Sequence, residues 1–226
     1  MDSIAAKIDL VKGRIAEAAA RGGRDPGEVE LVAISKTHPA EAVREAVDAG
    51  QLLFGENRVQ EALVKIPALP DRVRWHLIGP LQSNKVRKAL PHFELIHSVD
   101  SAELARDIDR IAGELGLFPR VLLEVNVSGE GSKHGFSEEG LERDLEKLLS
   151  LPRLQVEGLM TMAPLGSDAE SARPFFAGLR NVRDRLALRT GIPLATLSMG
   201  MSGDFEVAVE EGATLVRVGS AIFGSR

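Results

Sequence analysis

The chain reads Leu31-Val32-Ala33-Ile34-Ser35-Lys36-Thr37-His38-Pro39 near its start, and this stretch sets a pattern that the rest of the chain repeats. Its apolar half is typical of a buried strand, and the proline marks a break after it. Side chains alternate along a strand, so Lys36 is expected on the face of Val32 and Ile34, looking into a core. A desolvated lysine becomes an amine nucleophile, suited to forming an imine with an aldehyde. The alternative is a strand-end lysine that extends to solvent.

Apolar runs that resemble this first strand alternate with helical segments along the chain. The predicted strands are residues 31–35, 52–54, 73–78, 94–97, 120–127, 155–160, 195–199 and 214–218. Strands that alternate with helices indicate parallel pairing through crossovers. The pattern therefore predicts an α/β fold, a single-domain (β/α)8 TIM-type barrel. An open doubly wound sheet is the competing architecture, because the order of the strands cannot be read from local sequence.

An additional helix is expected before the first strand. Ile4, Ile8, Val11 and Ile15 lie at spacings that form one apolar helical face. This leading helix is predicted within residues 1–22 and the barrel within 30–226, so that residues 1–226 form one domain. The helix is expected to plug or brace the base of the barrel.

Composition excludes several classes of protein. The chain has 226 residues, a formal charge of −5 with scattered basic residues, and no cysteine. These features argue against a nucleic-acid-binding surface, disulfides, thiolate nucleophiles and zinc–thiolate sites. The start has no signal-peptide pattern, and no apolar stretch approaches the ~20 residues of a membrane span. We therefore expect a cytoplasmic protein with no membrane partner, and a monomer.

Small residues follow the last two predicted strands. A closed barrel has its active site at the carboxyl ends of the strands, and many such barrels bind phosphate in the loops after strands seven and eight. The loops here are Ser202-Gly203-Asp204 and Gly219-Ser220. Glycine lets backbone N–H groups approach an anion, and a helix N-terminus favours negative charge. The sequence predicts a phosphate site, although the first loop alone is also explained as a helix cap.

Arg217 extends this prediction to a cofactor. It shares a strand face with Leu215 and Gly219, and in a closed barrel strand eight neighbours strand one. Arg217 and Lys36 are then expected to approach one ligand, unless Arg217 forms a salt bridge with a carboxylate such as Glu124. An amine nucleophile, a phosphate site and an inward arginine together fit pyridoxal 5′-phosphate (PLP).

Motifs in order along nearly the whole chain resemble the YggS/PROSC-type pyridoxal phosphate homeostasis proteins. They are Ile34-Ser35-Lys36-Thr37, residues 54–61, residues 75–85, His97-Ser98-Val99-Asp100-Ser101, Asn126-Val127-Ser128-Gly129-Glu130, Gly158-Leu159-Met160, residues 197–206 and residues 216–224. The resemblance implies a barrel like the N-terminal domain of alanine racemase. It also implies the cofactor-binding residues: Lys36 for the imine, Ser202, Gly219 and Ser220 for the phosphate, Arg217 for the pyridine nitrogen, and Asn57 near the cofactor.

Three functions follow as alternatives. The first is a non-catalytic protein that buffers PLP or delivers it to PLP-dependent apoenzymes, with the cofactor carried as a lysine imine. The second is a PLP-dependent amino-acid racemase, which the absence of tyrosine disfavours because similar racemases use a tyrosine as second base. The third is a sugar-phosphate enzyme that uses Lys36 without a cofactor. The resemblance and the missing tyrosine favour the first.

Two further residues, His76 and Lys133, have a predicted location. His76 lies within an apolar strand and is predicted to be a hydrogen-bonded core residue rather than a general base. Lys133 lies in a glycine-containing loop after strand five and is expected near the mouth of the barrel.

Overall fold

The strands of the protein form one closed parallel barrel. The computed structural model describes residues 3–129, 134–164, 166 and 168–224. Within these residues, eight strands pair in chain order and the last pairs with the first, which confirms the predicted (β/α)8 barrel over the open sheet. The strands are β1 (Glu30–Ile34), β2 (Leu53–Glu56), β3 (Arg74–Leu77), β4 (Leu95–Val99), β5 (Arg120–Glu124), β6 (Gln155–Met160), β7 (Thr196–Ser198) and β8 (Leu215–Val218).

Helices form an outer layer around the barrel. They are α1 (Ile4–Arg21), α2 (Ala40–Asp48), α3 (Val59–Lys65), α4 (Val86–Ala89), α5 (Ala102–Leu115), α6 (Glu138–Leu149), α7 (Ala169–Thr190), α8 (Phe205–Glu210) and α9 (Ser220–Phe223). The leading helix α1 buries the predicted face of Ile8, Val11 and Ile15 and packs against α2, α8 and α9. It therefore braces the outside of the barrel and does not plug its base. Among the described residues, no helix is long and apolar enough to cross a membrane.

The interior of the barrel is partly apolar and partly polar. Its apolar side chains form a small separate cluster: Val32, Ile34, Leu53, Leu95, Leu122, Met160 and Leu215, with Ile78 packed against them. Four polar side chains that hydrogen-bond to one another are also buried: His76, His97, Ser198 and Arg217. Branched apolar residues usually dominate such interiors. The polar groups therefore need a structural or functional reason.

Several element ends follow local signals. Ser101 and Ser137 cap α5 and α6, since their hydroxyl groups accept hydrogen bonds from Leu104 N at 3.2 Å and Gly140 N at 3.0 Å. One expected boundary was wrong. Strand β5 ends at Glu124 rather than at residue 127. Val125 N still donates to Met160 O of β6 at 2.8 Å, but Asn126 N donates to Phe136 O at 2.9 Å, so the chain leaves the barrel there. Helix α9 begins directly after Gly219, the residue that follows β8.

We expect Gly158→Ala to destabilise the barrel by about 3 kcal/mol or more, because the packed backbones of β6 and β7 cannot separate locally. A Cβ atom at Gly158 would lie 1.9 Å from Thr196 O on the paired strand. Gly113→Ala is the control, since its added methyl group meets nothing within 4 Å. On the exposed helix position that change is neutral or stabilising by about 0.5–1 kcal/mol. Urea denaturation of both variants measures the two free energies, and equal values would contradict the packing argument.

Candidate functional site

A cavity of about 480 Å³ opens at the carboxyl ends of the strands. Its volume lies in the range of small-molecule sites. The structure brings all six predicted cofactor-binding residues to this mouth cavity: Lys36, Asn57, Ser202, Arg217, Gly219 and Ser220. These six residues lie on or directly after four strands, β1, β2, β7 and β8, which come from opposite ends of the chain.

Lys36 lies at the cavity but is not buried as the sequence predicted. Strand β1 ends at Ile34, and Lys36 is exposed in a turn closed by a hydrogen bond from His38 N to Ser35 O at 3.1 Å. Strand alternation does direct the residue to the interior side, but one step beyond the last apolar layer. The expectation of a lysine desolvated within a core is therefore wrong, and the ammonium group instead meets both water and the cavity.

A buried ion pair supports this turn from outside the barrel. Lys65 Nζ donates to Ser35 O at 2.7 Å and to Glu56 Oε1 at 2.5 Å. Ser35 Oγ donates to the same carboxylate oxygen at 2.7 Å. Burial raises the pKa of Glu56, while Lys65 and Ser35 oppose that rise. The carbonyl group directly before Lys36 is thus anchored to a lysine and a glutamate that sequence reasoning missed.

A second contact holds the same turn. Thr37 has a φ of 67°, a left-handed conformation that is uncommon for a β-branched residue. Its backbone N–H donates to Glu61 Oε2 at 3.1 Å. Strained backbone of this kind persists only where surrounding contacts determine it, and it is frequent at functional sites. Glu61 on α3 therefore helps to set the direction in which Lys36 leaves the backbone.

Arg217 is buried on the inner face of β8, at 4% exposure. Its Nη1 atom donates to Ser198 Oγ at 2.5 Å and its Nη2 atom donates to Thr161 O at 2.8 Å. Burial lowers the pKa of Arg217 to about 10, against the opposing charges of Asp204 and Glu124, so the group stays charged at pH 7. Among the described residues, it is bound by these neutral acceptors and forms no salt bridge to Glu124.

The two small-residue loops after β7 and β8 contact each other. Ser202 Oγ accepts hydrogen bonds from Gly219 N at 3.1 Å and from Ala221 N at 3.5 Å. The first loop is therefore not merely a cap of its own helix, because its hydroxyl group meets the backbone donors that begin α9. Hydroxyl and N–H groups converge at one place on the wall of the cavity, which is the donor set that an anion requires.

Asn57 supplies an unused acceptor at the cavity. Its side-chain Oδ1 atom is buried and has no hydrogen-bond partner. A glycine at position 79 is required here, because a Cβ atom would lie 2.3 Å from Asn57 O. Buried polar atoms are nearly always hydrogen-bonded. This orphaned oxygen next to the mouth cavity therefore indicates a ligand that carries a donor.

Two titratable side chains, Glu124 and His134, also line the mouth cavity. Burial, followed by the nearby charge of Asp100, raises the pKa of Glu124. His134 is exposed and lies with its Nδ1 atom 3.5 Å from Asp100 Oδ2. The expectation that Lys133 lies near the mouth concerns a residue outside the described ranges.

A line of polar groups runs inward from Arg217. His97 Nδ1 lies 2.8 Å from Ser198 Oγ, and His97 Nε2 lies 2.9 Å from His76 Nδ1. Burial lowers the pKa of His76 to about 3 and the pKa of His97 well below its usual value, so both rings are neutral at pH 7. The prediction that His76 is a hydrogen-bonded core residue is confirmed.

Comparison with known proteins identifies similar chains over nearly the full length. The family model described as "Alanine racemase, N-terminal domain" matches residues 11–226. The pyridoxal phosphate homeostasis protein of Pseudomonas aeruginosa is 47% identical over 100% of this chain and 97% of its own length. That of Aquifex aeolicus is 45% identical over 97% of each chain.

A solved structure shows the same similarity. PipY of Synechococcus elongatus, determined with PLP bound, is 47% identical, with a TM-score of 0.82. The match covers 93% of this chain and all of PipY.

We expect Lys65→Met to destabilise the protein by about 3–5 kcal/mol, because it leaves the buried Glu56 carboxylate unpaired. The loss should grow as the pH rises, since a carboxyl group with a raised native pKa holds a proton that the unfolded chain releases. Measuring the free energy of unfolding in urea at several pH values tests both statements.

Two controls accompany this variant. Arg110→Met breaks an exposed pair with Glu114 and should cost less than about 1 kcal/mol. Lys65→Met combined with Glu56→Gln should recover part of the loss, because no unpaired charge is then buried. A double variant no more stable than Lys65→Met alone would show that the ion pair is not the cause.

Proposed function

The chain belongs to the family of pyridoxal phosphate homeostasis proteins, and from that premise we propose that it binds PLP in the mouth cavity. Lys36 would carry the cofactor as an imine. The observation that carries the proposal is the gathering of an amine, a set of anion-binding donors, a charged guanidinium and an orphaned acceptor around one cavity.

The residues present fit this ligand. Ser202, Gly219 and Ser220 would hold the phosphate, since hydroxyl and backbone N–H groups suit a doubly charged oxyanion. Arg217 would donate to the pyridine nitrogen, because the guanidinium group is a donor at every physiological pH. The unpaired Oδ1 atom of Asn57 would accept a hydrogen bond near the cofactor.

The covalent link needs only Lys36. In its neutral form, the amine attacks the aldehyde carbon of PLP, and loss of one water molecule leaves a carbon–nitrogen double bond. The reverse reaction consumes water and returns the free aldehyde. Because Lys36 is exposed, both directions are open to solvent.

Arg217 also limits catalysis. PLP supplies an electron sink for carbanions, and the sink is strongest when the ring nitrogen is protonated. A guanidinium that donates to this nitrogen leaves it unprotonated, because arginine does not readily give up its own proton. The chain has no tyrosine to act as second base. We therefore propose that the protein acts in PLP homeostasis by buffering and delivery, rather than as an amino-acid racemase.

Other parts of this role stay predictions of the sequence. They are a monomeric state, a cytoplasmic location, transfer to PLP-dependent apoenzymes as partners, and a single PLP-binding domain over residues 1–226.

Lys36→Ala should abolish the imine absorbance of protein mixed with PLP, because Lys36 is the one lysine among the described residues that line the cavity. The measurement is borohydride reduction followed by peptide mapping by mass spectrometry, which should place the adduct on Lys36 in the unaltered chain. Lys85→Ala is the matched control, since Lys85 lines a neighbouring cavity and its loss should leave the adduct unchanged. An adduct in Lys36→Ala protein, or none in the unaltered chain, contradicts the assignment.

The PLP-loaded protein should interconvert D- and L-alanine no faster than free PLP does, because it has no tyrosine to act as second base and no protonated ring nitrogen. Chiral chromatography of alanine after long incubation measures this rate. Turnover that disappears in Lys36→Ala protein would favour the racemase and refute a purely non-catalytic role.

A further inference from the structure

Four buried polar groups connect the mouth of the barrel to its base. Arg217 and Ser198 lie on β8 and β7, while His97 and His76 lie on β4 and β3. They form an unbroken line of hydrogen bonds of 2.5, 2.8 and 2.9 Å. His76 lines a second cavity of about 420 Å³ at the amino ends of the strands. Nothing in the proposed binding of PLP uses His97 or His76.

The hydrogen bonds have one direction. A guanidinium group only donates, so Ser198 Oγ accepts from Arg217. The Ser198 hydroxyl proton then needs an acceptor, and His97 Nδ1 is the only other partner described for this oxygen. With Nδ1 as acceptor, neutral His97 carries its proton on Nε2 and donates to His76 Nδ1. His76 in turn carries its proton on Nε2, which is directed away from this chain of bonds.

The opposite direction leaves a buried group unsatisfied. If His97 carried its proton on Nδ1, Ser198 Oγ would accept two hydrogen bonds and its own proton would lack an acceptor among the described residues. A buried hydroxyl proton without a partner is costly. The donors and acceptors of these four side chains therefore allow only one arrangement of protons.

We propose that Ser198, His97 and His76 are positioning residues for Arg217. Their one-way chain of hydrogen bonds presents the lone pairs of Ser198 Oγ to the guanidinium group and keeps that group directed at the ligand. The link to PLP rests on the proposed function, whereas the direction of the hydrogen bonds from Arg217 to His76 concerns the protein alone.

Competition with carboxylates makes such positioning necessary. Glu124 and Asp204 both act on Arg217 through their charges, and Glu124 lines the same cavity. A guanidinium group without its neutral acceptor would turn towards these carboxylates. Ser198 and Thr161 O hold it away from them. This line of hydrogen bonds does not conduct protons, because Arg217, at its start, keeps its own proton at pH 7.

The first test reads the histidine tautomers of the unliganded protein by ¹H–¹⁵N NMR at pH 7. Both His97 and His76 should be neutral with the proton on Nε2. A proton on Nδ1 of His97, or a charged ring, would overturn the proposal without reference to PLP.

The second test compares two substitutions of His97. His97→Asn keeps an acceptor that mimics Nδ1, whereas His97→Leu removes it. His97→Leu should raise the Kd for PLP by about tenfold or more and shift the absorbance maximum of the bound cofactor. His97→Asn should stay within about threefold of the unaltered chain. Leu95→Met, which alters the same interior without touching the chain of hydrogen bonds, should leave both values unchanged.

The outcomes separate this inference from the proposed function. Borohydride adducts at Lys36 should form at saturating PLP in every variant, which shows that fold and imine chemistry survive. If His97→Leu binds PLP with the unaltered Kd and absorbance, the positioning role is wrong while the proposed function stands. If the unaltered chain forms no adduct, the proposed function fails instead. Should His97→Leu not fold, Ser198→Ala is measured in its place, with the same expected loss of affinity.

Discussion

The pairing of β8 with β1 is the constraint on which the site depends. It joins opposite ends of the chain, with Val32 in register with Arg217 and Ala33 with Val218. The turn that carries Lys36 and the loop that begins at Gly219 both leave this pair at the mouth of the barrel. In an open sheet these two strands would not meet in this way, and the amine and the guanidinium would face different surroundings. Closure of the barrel is therefore a condition of the chemistry as well as of the fold.

The polar interior carries a cost that the fold meets in an unusual way. A buried guanidinium group without partners would be strongly destabilising. Arg217 is instead bound by a hydroxyl and a backbone carbonyl, and the hydroxyl is bound in turn by a neutral histidine. Neutral acceptors satisfy the donors without cancelling the charge. A carboxylate partner would bind Arg217 more tightly but would leave less positive charge for a ligand. The arrangement thus favours an arginine that stays available to the cavity.

Local sequence signals predicted much of the fold, and long-range pairing accounts for what they missed. Periodicity predicted the strands, because this signal acts within a few residues, and the caps that Ser101 and Ser137 form are equally local. The order of strands was left open since it depends on pairing between distant segments. Lys36 was placed on the correct side of β1 but wrongly in a core, because no local signal shows how far the apolar layer extends. Lys65 was missed because a lysine in the last turn of a helix ordinarily faces water, and only Glu56 across the layer makes it a buried partner.

The supports of Lys36 and Arg217 are separate, and their difference bears on release of the ligand. The turn of Lys36 is anchored outside the barrel by Glu56 and Lys65, yet its amine is exposed. Arg217 is anchored inside and buried. An imine at an exposed lysine is open to water and to other amines, so the covalent link can be broken without opening the protein. In the proposed complex, the buried guanidinium would hold the ring by a non-covalent contact that does not depend on the imine. A protein that must both retain PLP and surrender it needs this division between an accessible bond and a shielded contact.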